Sequence, residues 1–315
     1  MKSSNIGGQA VMEGIMMRHK DKYSIAVRRP DNEIELKVED YKCVFGNAKF
    51  LKYPLIRGVV SFVDSLVVGT KCLMYSAEIA GDEEDEEDKQ KNAALSEEEL
   101  AAKKAKEDKQ FKWLLYVTVA VSIVVSVAAF MLLPYALASL CRRVGASEFA
   151  VTIVEAFVKL ALFMGYMLLI SRMKDIQRTF MYHGAEHKCI NCIEHGLELN
   201  VENVRKSSRQ HKRCGTSFLF FVMIVSIIFC FFITAQSQIA RVLIRLALLP
   251  VIAGVSYEII KLAGNSENPF VNLLSRPGMW VQNMTTKEPD DDMIEVGIRA
   301  VEAVFDWKNW QKENL

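Results

Sequence analysis

The residues best suited to chemistry are histidines, and four of the five in the chain lie between positions 183 and 211. Two of them form the pattern His-x-x-Glu-His with His183, Glu186 and His187. Residues three and four apart share one face of an α-helix, so the two imidazoles and the carboxylate would project together. This is the order of the inverted zinc-protease motif, in which both histidines bind zinc and the glutamate accepts a proton from the attacking water. The pattern predicts a divalent metal, most simply Zn²⁺, with Glu186 as the catalytic general base.

A zinc site of this kind needs a third protein ligand. We expect that ligand to be His211 or Cys214, which lie at the end of the same polar segment, just before a long apolar run. Competing donors are Glu194, His195 and Glu198.

Two other interpretations use the same residues. Cys189-x2-Cys192 and His211-x2-Cys214, eighteen residues apart, have the spacing of a closed structural zinc site, which would fold the segment and catalyse nothing. Alternatively, the histidines bind no metal and lie among lipid phosphates on a basic helix near the membrane.

The composition excludes several classes of protein. The 315 residues are 51% hydrophobic and 24% charged, and 39 basic residues balance 38 acidic ones. A net charge of +1 gives no general attraction to nucleic acid, and no nucleic-acid module is recognisable. Seven scattered cysteines do not form the even framework of a secreted disulfide protein, so we expect reduced thiols. The polar, glycine-rich start does not resemble a signal peptide.

Four apolar stretches are long enough to cross a bilayer, which takes roughly 20 helical residues. They predict a polytopic α-helical membrane domain over residues 113–264, in which Pro134 kinks the first span and the segment 172–214 carries the metal site. The second span contains Glu155 and Lys159, four residues apart on one helical face. The predicted spans are 113–141, 149–171, 215–240 and 242–264.

Basic residues near the spans predict the orientation, because cytoplasmic loops are enriched in Lys and Arg. Five precede the first span and nine lie in 172–214, whereas the opposite side has only Arg142, Arg143 and Arg241. We therefore expect the site and both termini to face the cytosol.

The remaining chain divides into four segments. Residues 1–54 predict a small β-containing domain, since alternating runs at 23–29 and 33–38 flank a Pro-Asp-Asn turn. The glycines between Gly7 and Gly14 lack the spacing of a nucleotide-binding loop, which favours a tight turn. Residues 81–112 predict a solvated acidic linker with a nascent helix in its second half.

Residues 55–80 form a helix with one narrow charged stripe, which predicts an interfacial helix on the cytosolic face, or one that inserts with its stripe against the other helices. In the C-terminal segment, 265–315, we expect loops to residue 287 and an amphipathic helix over 289–310. Three aspartates at its start suit the positive end of the helix dipole. The stripe consists of Arg57, Asp64, Lys71 and Glu78.

Five short sequence blocks in this chain resemble those of the YqhQ family of bacterial membrane proteins. The resemblance covers nearly the whole chain and implies a bacterial inner-membrane protein; the family is described as a predicted metal-dependent enzyme, without an established substrate. The pair Cys189 and Cys192 is not part of the family pattern, which counts against structural zinc. The blocks are Asn5–Arg18, Tyr182–Lys188, Val201–Arg205, Arg213–Phe218 and Glu288–Asp291.

Together these observations predict a metal-dependent hydrolase of the inner membrane, acting on a peptide, ester or phosphoester, in contact with membrane lipids. The leading alternative is a non-enzymatic scaffold or regulator with structural zinc. A transporter is a third hypothesis, because Glu155, Lys159 and Arg245 lie within apolar segments.

The orientation can be tested by labelling. A unique cysteine at Asn200 should react with a membrane-impermeant reagent only after the cells are opened, because the segment 172–214 is expected in the cytosol. Reaction in intact cells would reverse the topology.

Overall fold

The computed structural model describes residues 3–46, 48–81, 97–233, 238–266 and 268–315. Its internal contacts divide the chain into two units, Asp82–Gly165 and the rest, Met1–Gly81 with Tyr166–Leu315. The first half of the predicted acidic linker, residues 82–96, lies outside the described residues, and the chain is helical from Glu97 onward.

The strands are β1 (Gly7–Val11), β2 (Gly14–His19), β3 (Lys22–Arg28) and β4 (Ile34–Asp40). The helices are α1 (Ile56–Ala80), α2 (Glu97–Val127), α3 (Leu133–Ser139), α4 (Glu148–Ile170), α5 (Lys174–Glu194), α6 (Val201–Lys206), α7 (Gly215–Phe232), α8 (Gln238–Asn265), α9 (Pro269–Thr285), α10 (Asp291–Glu302) and α11 (Trp307–Asn314).

The N-terminal strands form one antiparallel sheet in the order β1-β2-β3-β4. The predicted strands at 23–29 and 33–38 are confirmed as β3 and β4. Val11 pairs with Gly14, so Met12 and Glu13 form a two-residue hairpin turn. The glycine-rich block is thus a strand and a turn, as its lack of phosphate-loop spacing indicated.

Helices cover both faces of this sheet. One face packs against α5 and α10, and Ile15, Met17 and Ala26 are buried there. The other face receives the second half of α1, where Val68 and Cys72 are buried. Alternation of apolar residues along the strands thus supplies two hydrophobic layers.

Among the described residues, five helices are long and apolar enough to cross a membrane, which indicates a multi-pass membrane protein. The expected number was four, and the additional candidate is α1, with the lowest mean hydropathy, 1.3. Near the expected kink at Pro134, the helix departs from α geometry in a π-helical turn at Ala128–Leu132. The candidates are Ile56–Ala80, Tyr116–Val144, Glu148–Ile170, Gly215–Phe232 and Ile239–Asn265.

The charged stripe of α1 contacts protein at its first two positions. Nε of Arg57 donates to Glu258 of α8 at 2.7 Å. The buried carboxylate of Asp64 accepts hydrogen bonds from the Tyr41 hydroxyl at 2.5 Å and the Val44 N–H at 2.8 Å. α1 therefore connects the sheet to the apolar helix α8.

The C-terminal segment is more helical than predicted. The prediction of loops over 265–287 is wrong, because most of this segment is helix α9. The helix starts where the Asn268 side chain accepts a hydrogen bond from the Phe270 N–H at 2.8 Å and Pro269 occupies the first turn. The helix expected over 289–310 is two helices, α10 and α11. Asp290 caps the first at the Met293 N–H, 2.9 Å away, and so performs the expected N-terminal role.

A close backbone contact fixes Gly184 in the middle of α5. The Lys287 N–H donates to the Phe180 carbonyl at 2.9 Å, and this brings the Lys287 carbonyl to 2.0 Å from the position that a Cβ on Gly184 would occupy. An alanine there cannot fit unless the backbone moves.

We therefore expect Gly184→Ala to lower the free energy of unfolding by about 1–3 kcal/mol, because overpacking outweighs the gain of about 1 kcal/mol in helix propensity. Thermal unfolding of purified protein measures this change. Gly215→Ala, with no atom within 4 Å of its added Cβ, is the control and should not be destabilised. Equal stability of the two variants would contradict the contact.

Candidate metal centre

Helix α5 carries the predicted motif into the interior of the protein. Its second half is buried between the sheet, α10 and the segment that follows α6. The rings of His183 and His187 lie on one face with centroids 4.4 Å apart, as the spacing of four predicts. His187 is 2% exposed and His183 is partly exposed.

The third donor in this cluster is Cys214. Its Sγ lies 3.4 Å from Nε2 of His183, and one ligand atom each of His183, His187 and Cys214 lie within 4.8 Å of one another. Cys214 is the N-cap of α7, where Sγ accepts the Thr216 N–H at 3.4 Å. The two predicted histidine ligands, His183 and His187, therefore lie together with Cys214, one of the two residues expected as the third ligand.

Backbone carbonyls orient both imidazoles. Nδ1 of His183 lies 2.9 Å from the Thr285 carbonyl oxygen, and Nδ1 of His187 lies 2.7 Å from that of Arg209. A carbonyl oxygen only accepts, so each Nδ1 must carry the proton. This directs Nε2 of each ring toward the other donors, as in metal-ligating histidines, and a metal ion would take the place of any proton there.

Electrostatics favours a thiolate at Cys214. Burial alone would raise the pKa of the thiol, but His183 and His187 lower it well below its ordinary value. Burial likewise opposes protonation of His183, yet Cys214 and Glu186 raise its pKa to about 9. The anionic form of cysteine is the one that binds metal.

Glu186 is buried beside the donors but is not one of the three. Burial raises the pKa of its carboxyl, and His183 and His187 partly offset that increase. The backbone N–H of Gly8 in β1 lies near this carboxyl and further opposes the increase of its pKa. A Cβ on Gly8 would lie 2.6 Å from the Met16 carbonyl oxygen and 3.1 Å from the Glu186 carboxyl carbon, so this close packing requires glycine.

His211, the other favoured third ligand, is buried next to the cluster, with its ring centroid 5.8 Å from that of His187. Its Nε2 faces Glu194 at 3.4 Å, and its Nδ1 accepts the Arg213 N–H at 3.4 Å. Both ring nitrogens thus have protein partners, and His211 is outside the three-donor group among the described residues.

Glu194 ties the cluster to the N-terminal segment. Its carboxylate accepts from Ser4 N–H and Oγ, each at 2.8 Å, and from the Arg213 guanidinium at 2.6 Å. Burial would raise its pKa, but His211 and Arg213 lower it to about 2. Glu194 is therefore a buried anion that joins three distant parts of the sequence.

Gln282 on α9 holds the neighbouring backbone. Its side chain accepts from the His211 N–H at 2.9 Å and donates to the His211 carbonyl at 2.8 Å. Sequence analysis missed Gln282, Ser4 and the carbonyl of Thr285, because their contacts depend on tertiary structure. Gly8 was noted, but only as part of a turn.

The cysteines of the rival structural site lie elsewhere. Cys189 and Cys192 are buried in the hydrophobic core, and Sγ of Cys189 lies against Gly297 of α10. Burial raises the pKa of Cys189 well above its usual value and that of Cys192 to about 11. Of the competing donors, His195 places Nδ1 2.7 Å from the Asn191 carbonyl, and neither His195 nor Glu198 belongs to the described donor group.

The donor set suits a borderline-soft metal ion. Two imidazole nitrogens and a thiolate match zinc sites that have three protein ligands and keep one open position. The same set also binds copper.

Comparisons with known proteins identify relatives but name no activity. Residues 53–307 match the family described as a protein of unknown function, DUF1385. The chain is 35% identical over 321 residues to an uncharacterised protein, YqhQ, of Bacillus subtilis strain 168, covering 98% of this chain and 94% of that protein. No solved structure matches the chain.

The low pKa of Glu194 predicts an acid-sensitive contribution to stability. A carboxyl whose pKa falls from 4.5 to about 2 on folding stabilises the fold fully above pH 4.5, and this stabilisation is lost as the pH falls through 2. We expect Glu194→Gln to cost on the order of 3 kcal/mol at neutral pH. Thermal unfolding between pH 7 and pH 3 should show the two proteins converging on acidification. A difference that does not depend on pH would refute the ion pair.

Proposed function

The chain belongs to the DUF1385 family of proteins of unknown function, and for this member we propose a metal-dependent hydrolase at the cytosolic surface of a bacterial inner membrane. The observation that carries the proposal is the convergence of His183, His187 and Cys214, with both Nδ1 protons directed away from the cluster. Three protein donors leave room for a fourth ligand, as in catalytic zinc sites.

When bound, a divalent ion would supply a Lewis acid that polarises a substrate oxygen and acidifies water. The chain supplies the proton acceptor. Glu186 lies beside the donors, and its raised pKa brings the carboxyl closer to the working pH, which favours general base catalysis. Gly8 of β1 packs closely against the carboxylate. The substrate class remains a peptide, ester or phosphoester.

The packing of the sheet supports the membrane arrangement. β1 contacts α5, so the sheet and α5 lie on the same side of the bilayer, and an even number of crossings separates them. Along the described part of the chain, three apolar helices separate β1 from α5. They are Ile56–Ala80, Tyr116–Val144 and Glu148–Ile170. We assign α1 as the helix that does not cross, because its second half packs on the sheet. Four crossings remain, and the basic residues of 172–214 favour the cytosol for the site.

A structural metal is the second candidate, and the burial of the site supports it. Cys214 and Glu186 are 4% and 5% exposed. The ion would join α5, the start of α7 and, through the histidine Nδ1 contacts, the carbonyls of Arg209 and Thr285. In that role it would stabilise the fold without turnover.

Paired substitutions separate these functions. In a hydrolase, Glu186→Gln should retain near-stoichiometric metal yet lose activity by about 10²–10⁴-fold, as expected without a general base. His187→Ala should lose the metal. His195→Ala, at the residue that directly follows this helix and outside the donor group, is the matched control and should keep both.

Metal content of purified protein and complementation of a deletion strain are the measurements. Full complementation by Glu186→Gln at normal expression would eliminate the hydrolase. Loss of metal and of thermal stability in His187→Ala and Cys214→Ser would then leave the structural site as the function of the ion.

A further inference from the structure

Helix α9 exposes its apolar residues and buries its small and polar ones. Phe270 is 73% exposed and Trp280 is 60% exposed, and Leu273 and Leu274 complete a stripe at helical spacing. The opposite face is buried and consists of Ser275, Gly278, Val281, Gln282 and Thr285. This polarity is the reverse of that of an amphipathic helix in water.

The position of α9 explains the reversal. Its inner face packs on the first turns of α7, where a Cβ on Gly278 would lie 3.1 Å from Ser217 and 3.3 Å from Phe221. α7 is a membrane-crossing candidate whose N-terminal end is held at the metal centre. The exposed stripe therefore lies at the level where an apolar helix enters the bilayer.

Length and connections place α9 along the membrane surface. Seventeen residues span about 25 Å, too short to cross. The preceding helix α8 ends at Asn265, and after α9 the Lys287 N–H returns to the Phe180 carbonyl of α5. Both ends of α9 thus lie on the side that carries the metal centre.

The charge on and beside α9 favours anionic lipid. The helix contains no acidic residue, and its one charged side chain, Arg276, is exposed beside the stripe. Lys212 adds a second cation, because its Nζ donates to Asn272 Oδ1 at 2.7 Å. Cations flanking an apolar stripe are typical of helices that lie in the interface of anionic membranes.

We propose that the exposed face of α9, defined by Phe270, Leu273, Leu274 and Trp280, is a lipid-binding surface seated between the head groups and acyl chains of an anionic bilayer. Its inner face contributes the Thr285 carbonyl to His183 and Gln282 to His211. The bilayer surface and the metal centre are therefore joined by one helix. This inference does not depend on catalysis or on a bound metal.

Tryptophan quenching by brominated lipids tests the surface in the full-length protein. Trp113→Phe removes the exposed tryptophan of α2. Of the three tryptophans that remain, Trp280 is exposed, Trp307 is buried and Trp310 is partly buried. In nanodiscs containing anionic lipid brominated near the head group, we expect quenching that is several-fold greater than in the variant that also carries Trp280→Phe. Bromine at the chain ends should quench Trp280 less.

Four results would overturn the proposal. Equal quenching in the two variants would place Trp280 outside the lipid. Stronger quenching by deep bromine would make α9 a transmembrane element. Two chains per nanodisc, with Trp280 shielded from shallow bromine, would show that a second copy covers the face. Replacing anionic by zwitterionic lipid should shift Trp280 emission to longer wavelength, and an unchanged spectrum would exclude selection by charge.

Discussion

The candidate site depends on the protons at Nδ1 of His183 and His187. Each ring is held by a backbone carbonyl, from Thr285 and from Arg209, and each Nε2 is thereby presented to Cys214. Thr285 is the last residue of α9, and Arg209 lies shortly before α7. The fold of the C-terminal half thus brings two hydrogen-bond acceptors to the face of α5 that carries the histidines. If either carbonyl were displaced, the ring would be free to turn and the donor geometry would be lost.

Close backbone approaches and buried charge maintain this arrangement. Gly184 admits the Lys287 carbonyl onto α5, and Gly8 admits β1 to the Glu186 carboxylate. Glu194 then fastens Ser4 to the same helix, opposite Arg213. The N-terminal sheet is consequently part of the site, although the family match begins only at residue 53. Cys214, the N-cap of α7, lies where the polar candidate metal centre adjoins an apolar helix.

Local patterns in the sequence were sufficient for four of the five candidate membrane helices, for strands β3 and β4 with the turn between them, and for the shared face of His183 and His187, because each follows from helical or strand periodicity. The choice between His211 and Cys214 did not follow, since it depends on which side chain Glu194 engages. Helix α9 was predicted as loop because its apolar residues face outward and Pro277 interrupts the pattern. The raised pKa values of Cys189 and Cys192, and their core position, likewise follow from packing against α10.

The central claim is that Cys214, with two imidazoles, holds a divalent metal. Cobalt substitution tests it directly, because Co²⁺ in a low-symmetry site shows a thiolate-to-metal charge-transfer band only when a cysteine is a ligand. We predict this band in the wild type and in Cys189→Ser, and its loss in Cys214→Ser. A band that survives Cys214→Ser, or the absence of stoichiometric cobalt binding in the wild type, would contradict the account.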